Sequence, residues 1–113
     1  MKLDGTSAIV TGAASGLGAA TAKALAAKGV SVFGLDLAAG WEKGGTPAAE
    51  VTAVSGDVTD ADDVAAAVKT VTESGVPLRM TVNCAGLGWA SRILSGKGVH
   101  DFDLFKTVIS VNL

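Results

Sequence analysis

The chain has 113 residues, a formal net charge of −2 and 49% hydrophobic residues, and its nine lysines and arginines are scattered. This length is enough for one hydrophobic core, so we expect a single domain over residues 1–113. Scattered basic residues exclude the dense positive surface that nucleic acids require, and no apolar run is long enough to span a bilayer. A small-molecule partner is favoured.

The cysteine content and the N-terminal residues bear on the compartment. Cys84 is the only cysteine, so no intrachain disulfide can form. The first residues lack the basic, apolar and small-residue order of a signal sequence. We therefore expect a reducing, cytoplasmic location, and we expect no metal site.

Short apolar runs alternate with helical patterns, and several are apolar at successive positions, as strands buried on both faces are. Such alternation predicts an α/β fold with a Rossmann-like parallel sheet, and right-handed crossovers give the strand order 3-2-1-4. The fourth strand then has an unpaired edge, which more chain or a partner should cover. The predicted strands are Ser7–Thr11, Val30–Leu35, Val51–Ser55 and Leu78–Val82.

Four helical patterns follow these strands. The first runs from the glycines after Thr11 to a stop at Gly29, and residues 37–43 are compatible with a short second helix. Glycines and Pro47 predict an exposed, mobile loop around 41–47. The third helix is capped by Thr59 or Asp60, and one of its faces carries Val64, Ala67, Val68 and Val71.

The last helical pattern covers 101–113, and a loop from 87 to 100 precedes it. Helical spacing puts Phe105, Val108, Ile109 and Asn112 on one stripe, which we expect to be buried. The pattern reaches Leu113 without a glycine, proline or polar stop signal, so we expect the chain to belong to a longer protein.

The strongest motif lies between the first strand and the first helix. Glycines at a strand-to-helix turn let the backbone approach a pyrophosphate, while free N–H groups at the helix start point at the anion. The spacing is neither G-x-G-x-x-G nor that of a P-loop, and glycines there could also serve the turn alone. The motif reads Thr11-Gly12-Ala13-Ala14-Ser15-Gly16-Leu17-Gly18.

Asp36 ends the second strand. Its carboxylate can accept hydrogen bonds from both hydroxyls of an adenosine ribose, and it would repel a 2′-phosphate by about 4 kcal/mol at ~4 Å and an effective dielectric near ~20. Neither Leu37 nor Ser15 supplies a compensating positive charge. We therefore predict NAD rather than NADP, although an acid could simply end a strand.

Two further motifs follow the third and fourth strands. Asp57-Val58 offers an acceptor for an adenine amino group and an apolar surface for the ring, or only a turn before a helix. Asn83-Cys84-Ala85-Gly86 falls where ligands bind in open α/β sheets. The Cys84 thiol is interpreted as a packing residue, since no histidine or other group activates it.

Together with Asn112, these motifs resemble those of the short-chain dehydrogenase/reductase family over essentially the whole chain. The family usually has Asn-Asn-Ala-Gly where this chain has Asn83-Cys84-Ala85-Gly86, and this variant, with the insertion at 87–100, is similar to type-2 3-hydroxyacyl-CoA dehydrogenases. The resemblance implies an NAD-dependent oxidoreductase that transfers hydride between a secondary alcohol, such as a 3-hydroxyacyl-CoA, and NAD. It also implies a homo-oligomer, either a dimer or a tetramer.

The resemblance also assigns roles to residues. Asn112 matches the helix asparagine of the catalytic tetrad, although a buried asparagine could equally satisfy a hydrogen bond. The matching serine and Tyr-x-x-x-Lys pair are missing, and the sequence contains no tyrosine. We therefore expect this chain to bind cofactor without turning over substrate. The implied cofactor-binding residues are Gly12, Ser15, Gly16, Leu17, Gly18, Asp36, Leu37, Asp57, Val58, Asn83, Cys84, Ala85 and Gly86.

Two other functions stay open at this stage. One is a non-catalytic nucleotide-binding module that acts through a partner, and the other is part of an S-adenosylmethionine-dependent methyltransferase. The glycine spacing and the 83–86 run count against the methyltransferase. The sequence identifies neither the substrate nor the roles of Arg92, Lys97 and His100.

Overall fold

A computed structural model describes residues 2–44 and 46–113, and within those ranges a parallel sheet alternates with helices. The elements of the sheet and its crossovers are β1 (Ser7–Thr11), α1 (Gly16–Ala26), β2 (Ser31–Asp36), α2 (Ala38–Gly44), β3 (Val51–Ser55), α3 (Ala61–Glu73) and β4 (Leu78–Asn83). A small hairpin, β5 (Leu94–Ser95) and β6 (Gly98–Val99), and a last helix, α4 (Phe102–Asn112), follow.

The strand order is β3-β2-β1-β4 and all pairings in this sheet are parallel, which confirms the predicted fold. β1 lies between β2 and β4, with Thr11 opposite Leu35 on one side and Asn83 on the other. Because the strands are parallel, the residues that follow them meet at one edge of the sheet. β2 and β4 each end one residue later than predicted, at Asp36 and Asn83.

The core lies on both faces of β1, and all five of its residues are buried. Alternation along the strand sends Ala8 and Val10 to one face, where they pack with Ala22 of α1, and Ile9 to the other, where it packs with Val71 of α3. The core on the side of the sheet that faces α1 is built mainly from alanine and valine. Because these side chains are small, α1 lies close to the sheet and its first turn lies at the ends of the strands.

α3 begins as predicted, because the Asp60 carboxylate caps it by accepting hydrogen bonds from the N–H groups of Asp62 (2.8 Å) and Asp63 (3.3 Å). Of the predicted face, Ala67 and Val71 are buried, but Val64 and Val68 are 38% and 39% exposed. These two valines border an apolar cavity of about 350 Å³ between α3 and the sheet.

The predicted exposed loop at 41–47 is wrong for its first part, because residues up to Gly44 belong to α2. The Trp41 ring packs against the core on the α1 face, and its Nε1–H donates to the Val54 carbonyl oxygen at 3.0 Å. Tertiary contact thus outweighs the low helix propensity of the surrounding glycines. Gly45 lies outside the described residues.

The segment after β4 contains the hairpin that the sequence did not predict, paired through Leu94 with Val99 and Ser95 with Gly98. Two-residue strands are too short to give an alternating pattern. α4 then begins after Asp101, whose carboxylate accepts from the N–H groups of Asp103 and Leu104. None of the described helices is long and apolar enough to cross a membrane.

The predicted burial of the α4 stripe is wrong, since no residue of α4 is buried. Phe105 is 51% exposed, Ile109 is 41% exposed and Asn112 is also exposed. Of the predicted stripe only Val108 is half-buried, and the other half-buried residues of α4, Leu104 and Val111, lie outside that stripe. Helical spacing identifies a face that could be buried, but burial also needs a packing surface opposite that face.

Candidate functional site

A cavity of about 530 Å³ lies at the carboxyl ends of the parallel strands, and its volume is typical of small-molecule sites. Gly56, Leu87 and Val111 also line it, although the sequence did not indicate them. The predicted site residues that line it are Gly12, Ser15, Gly16, Leu17, Gly18, Asp36, Leu37, Asp57, Val58, Cys84, Ala85 and Gly86.

Two glycines of the turn have the left-handed backbone that side chains disfavour, with φ of +66° at Gly12 and +53° at Gly16. They differ in their surroundings. A Cβ on Gly12 would lie 2.8 Å from the backbone nitrogen of Ala85, whereas a Cβ on Gly16 would meet no atom within 4 Å. Gly12 therefore lets β1 and the segment after β4 pack together, while Gly16 leaves open room at the cavity.

The start of α1 carries donors for an anion. Ser15 is the N-cap residue, with extended backbone (φ −154°, ψ 169°), and its side chain makes no capping hydrogen bond. The first N–H groups of a helix have no partner within the helix, and they carry the positive end of its dipole. Gly18 brings this first turn against the Gly12 carbonyl oxygen, where a Cβ would overlap it.

Asp36 is half-buried at the end of β2, and both of its carboxylate oxygens are anchored. Oδ2 accepts from the Ala14 N–H at 2.9 Å, and Oδ1 accepts from the Leu37 N–H at 2.8 Å. A carboxylate oxygen can accept more than one hydrogen bond, so acceptor capacity remains for hydroxyl groups. The glycine turn thus holds a fixed negative charge at the cavity wall.

Asp57 lies after β3, next to the end of β2, where the Gly56 N–H donates to the Asp36 carbonyl oxygen at 2.9 Å. Its Oδ1 accepts from the backbone N–H of Thr59 at 2.8 Å and from the Thr59 hydroxyl at 2.7 Å. These two hydrogen bonds stabilise the carboxylate, the backbone one more strongly, and lower the pKa of Asp57 below its ordinary value. Asp57 therefore stays ionised near neutral pH, next to the apolar Val58.

Thr11 connects the end of β1 to the segment after β4, a role that its place in the glycine motif did not predict. Its side chain is buried, and Oγ1 accepts from the N–H groups of Cys84 at 3.1 Å and Ala85 at 3.0 Å. This hydroxyl satisfies two donors that follow β4 and fixes their position beside Gly12. The sequence feature that could have indicated this role is a threonine at the end of a mostly apolar, buried strand.

Asn83 does not line this cavity, and instead lines the apolar cavity on the α3 side of the sheet, which Val58 also borders. Alternation along β4 explains this, because Val82 and Cys84 face α1 while Asn83 points the other way. Asn112 does not line the cavity of about 530 Å³ either, but it contacts Leu87, which does. Its Nδ2 donates to the carbonyl oxygens of Leu87 and Val108, both at 2.7 Å.

The basic residues of the 87–100 segment stay outside the cavity lining. Arg92 and Lys97 are exposed, and the Nδ1 of His100 lies 2.7 Å from the carbonyl oxygen of Asp101. The titratable side chains that do line the cavity are Asp36, Asp57 and Cys84. Within the described ranges, no cluster of histidine, cysteine, aspartate or glutamate could hold a metal ion. The arrangement favours binding of a nucleotide over proton transfer.

The family model described as short chain dehydrogenase matches residues 6–113. Among curated proteins, 3-hydroxyacyl-CoA dehydrogenase type-2 of Drosophila melanogaster is 43% identical over 110 residues, which cover 92% of this chain and 42% of that protein. This chain therefore spans less than half the length of that relative.

Two solved structures of dehydrogenases or reductases also superpose on this chain. 3-ketoacyl-(acyl-carrier-protein) reductase of Brucella melitensis, complexed with NADH, superposes with a TM-score of 0.81 at 31% identity and covers 98% of this chain and 46% of that one. 3-hydroxyacyl-CoA dehydrogenase type-2 of Mycobacterium avium gives a TM-score of 0.77 at 36% identity, covering 96% of this chain and 43% of that one. The chain belongs to the short-chain dehydrogenase family.

Proposed function

We propose that this chain binds NAD and forms the cofactor-binding part of an oxidoreductase that acts on a secondary alcohol. The observation that carries the proposal is the Asp36 carboxylate, held by two backbone N–H groups at the wall of the cavity that the glycine turn lines. The similar reductase of Brucella melitensis was solved in complex with NADH. That complex and the membership of this chain in the family both support a nicotinamide cofactor.

The residues of the cavity fit a dinucleotide. The N–H groups at the start of α1 would bind the pyrophosphate, next to the open space above Gly16. Asp36 would accept from the adenosine ribose hydroxyls, and Val58 with Asp57 would contact the adenine. Cys84, Ala85 and Gly86 would contact the inner nucleoside, and Asn83 would support them from the end of β4.

When bound, the nicotinamide of NAD would accept a hydride from the carbinol carbon of the alcohol. Oxidation of an alcohol also releases a proton, which a positioned base must take. The chain has no tyrosine, and the side chains that titrate at the cavity are two carboxylates and a thiol. We therefore propose that the chain by itself binds NAD without oxidising alcohols. Asn112 would contribute to catalysis only together with the serine and the Tyr-x-x-x-Lys pair of the family's tetrad.

Relatives named 3-hydroxyacyl-CoA dehydrogenase support a 3-hydroxyacyl-CoA as the substrate class of the whole protein. We also propose a homo-oligomer, a dimer or a tetramer, because α4 exposes the large apolar residues Phe102, Phe105 and Ile109. A cytoplasmic location, consistent with a single free cysteine, completes the proposal.

The first experiment measures the dissociation constants of NADH and NADPH by titration calorimetry. NADH should bind at least about tenfold more tightly, because the Asp36 charge opposes the 2′-phosphate. Asp36→Asn should narrow this gap by weakening NADH binding and relieving the repulsion of NADPH. Asp62→Asn removes an equal charge from an exposed position outside the cavity and should change neither constant. Tighter binding of NADPH by the unaltered chain would contradict the proposal.

A non-catalytic nucleotide-binding module is the second candidate, because the titratable side chains that line the cavity are two carboxylates and a thiol. The two functions differ in a protein that spans the full length of the relatives. Oxidation of a secondary alcohol with reduction of NAD by that protein supports the oxidoreductase. NADH binding without any oxidation supports the module.

A further inference from the structure

Asp36 is held from two directions, and both matter for its place at the cavity wall. The Ala14 N–H belongs to the glycine turn, and the Leu37 N–H belongs to the segment that leads into α2. A carboxylate with this pair of donors has one orientation. The position of α2 therefore bears on where the negative charge lies.

Gly40 is the α2 residue that reaches the carboxylate. A Cβ at this position would lie 2.5 Å from Asp36 Oδ1 and 3.5 Å from the Cβ of Ala14. The first distance is far inside van der Waals contact, so any larger residue would force the Asp36 side chain to rotate. Rotation would break at least one of the two backbone hydrogen bonds. The backbone of Gly40 has no positive φ, so its conformation does not itself require glycine.

Trp41, the next residue, fixes α2 in this close position. Its Nε1–H donates to the Val54 carbonyl oxygen of β3, and its ring lies over Gly34 of β2, where a Cβ would be 3.0 Å from the ring. α2 therefore cannot move away from Asp36 without losing these contacts. The missing side chain of Gly40 thus lets α2 lie next to the Asp36 carboxylate, and the contacts of Trp41 hold α2 in that position.

We infer that Gly40 is a positioning residue for cofactor selectivity: the absence of its side chain keeps the Asp36 carboxylate against the Ala14 N–H, where it favours NADH over NADPH. This inference rests on the proposed function. Gly40 does not line the cavity, so it acts through Asp36 rather than by contact with the cofactor.

The test is Gly40→Ala in the full chain, with the dissociation constants of NADH and NADPH and the thermal midpoint measured together. Alanine has the higher helix propensity, so helix stability alone predicts an equal or higher midpoint. We expect the dissociation constant of NADH to rise about tenfold and that of NADPH to stay within about twofold. A selectivity loss without a loss of stability is not what a purely structural residue produces.

Gly96→Ala is the matched control, because its Cβ would meet nothing within 4 Å and its backbone φ is not positive. It should leave both constants unchanged. If Gly40→Ala does not fold, Trp41→Phe gives the same reading, since it keeps the aromatic ring and removes the hydrogen bond to Val54. A several-fold lower selectivity in that variant supports the inference.

The inference is overturned if Gly40→Ala, or Trp41→Phe in its place, keeps the selectivity of the unaltered chain while Asp36→Asn loses it. That result leaves the proposed function intact. Failure of the proposed function shows separately, as a lack of NADH preference in the unaltered chain, and it removes the inference with it.

Discussion

The two sides of the cavity are built differently. The side formed by residues 7–36 contains β1, whose residues are all buried, and α1, which packs on the sheet through Gly18 and Ala22. The side formed by residues 83–113 contains no buried residue, and hydrogen bonds join Thr11 to Cys84 and Ala85 and Asn112 to Leu87. The site thus combines a half that rests on the buried core with a more exposed half that hydrogen bonds link to it.

This difference separates two ways of holding functional groups. Packed elements fix the glycine turn and Asp36, and the free energy of the core resists their displacement. The later segment is held by a few links, and such regions open at a lower free energy than the core. We therefore expect cofactor binding to depend on the first half, and the second half to tolerate substitution except where it contacts the first.

The largest effect is expected at the contact between the two halves, from Gly12→Ala. The substitution strains a backbone with φ of +66° and places a Cβ 2.8 Å from the Ala85 nitrogen, so we expect a loss of about 3 kcal/mol or more in unfolding free energy. NADH affinity should fall with it. Denaturant unfolding and calorimetry provide the measurements.

Gly5→Ala is the control for this prediction, because Gly5 has φ of +74° but open space around it. It should cost only about 1 kcal/mol, which is the conformational part alone. Equal losses for Gly5→Ala and Gly12→Ala would show that the contact between the halves contributes nothing.

A smaller effect is expected from truncating one valine in α3, which packs against β1 of the first half, and one valine in α4 of the second half. Val71 of α3 is fully buried, so Val71→Ala should cost about 2 kcal/mol through lost burial and a residual cavity. Val108 of α4 is half-buried on a helix without buried residues, so Val108→Ala should cost less than about 0.5 kcal/mol. Equal losses in urea unfolding would remove the distinction between the two regions.

The smallest effect concerns the pH dependence at Asp57. Its lowered pKa means that the ionised carboxylate stabilises the fold above about pH 4, and this contribution is lost as the pH falls through the lowered pKa. Thr59→Val keeps the backbone donor but removes the hydroxyl, so the pKa should rise part of the way toward its ordinary value. NMR titration of the carboxyl carbon measures it, with Thr59→Ser as the control that retains the hydroxyl. An unchanged pKa in Thr59→Val would contradict this assignment.

The sequence predicted well those features that local chemistry decides. Consecutive apolar residues identified β1 and β2 as buried strands, Asp60 supplied a helix cap, and the glycines at 12 and 16 have the positive φ that glycine tolerates. Parallel strands with short crossovers then brought Gly12, Asp36, Asp57 and Ala85 to one cavity. Each of these features follows from the residues themselves or from chain connectivity.

Three other features were decided only by the tertiary structure. Trp41 extends α2 because β2 and β3 offer its ring a surface and its N–H an acceptor. The side chains of Phe105 and Ile109 on α4 stay exposed because none of the residues that the structure describes packs over them. Asp36 owes its fixed orientation to the Ala14 N–H and to the space at Gly40, which distant parts of the chain bring together. A sequence pattern indicates which face a residue can bury, but burial and orientation depend on what the folded chain places opposite it.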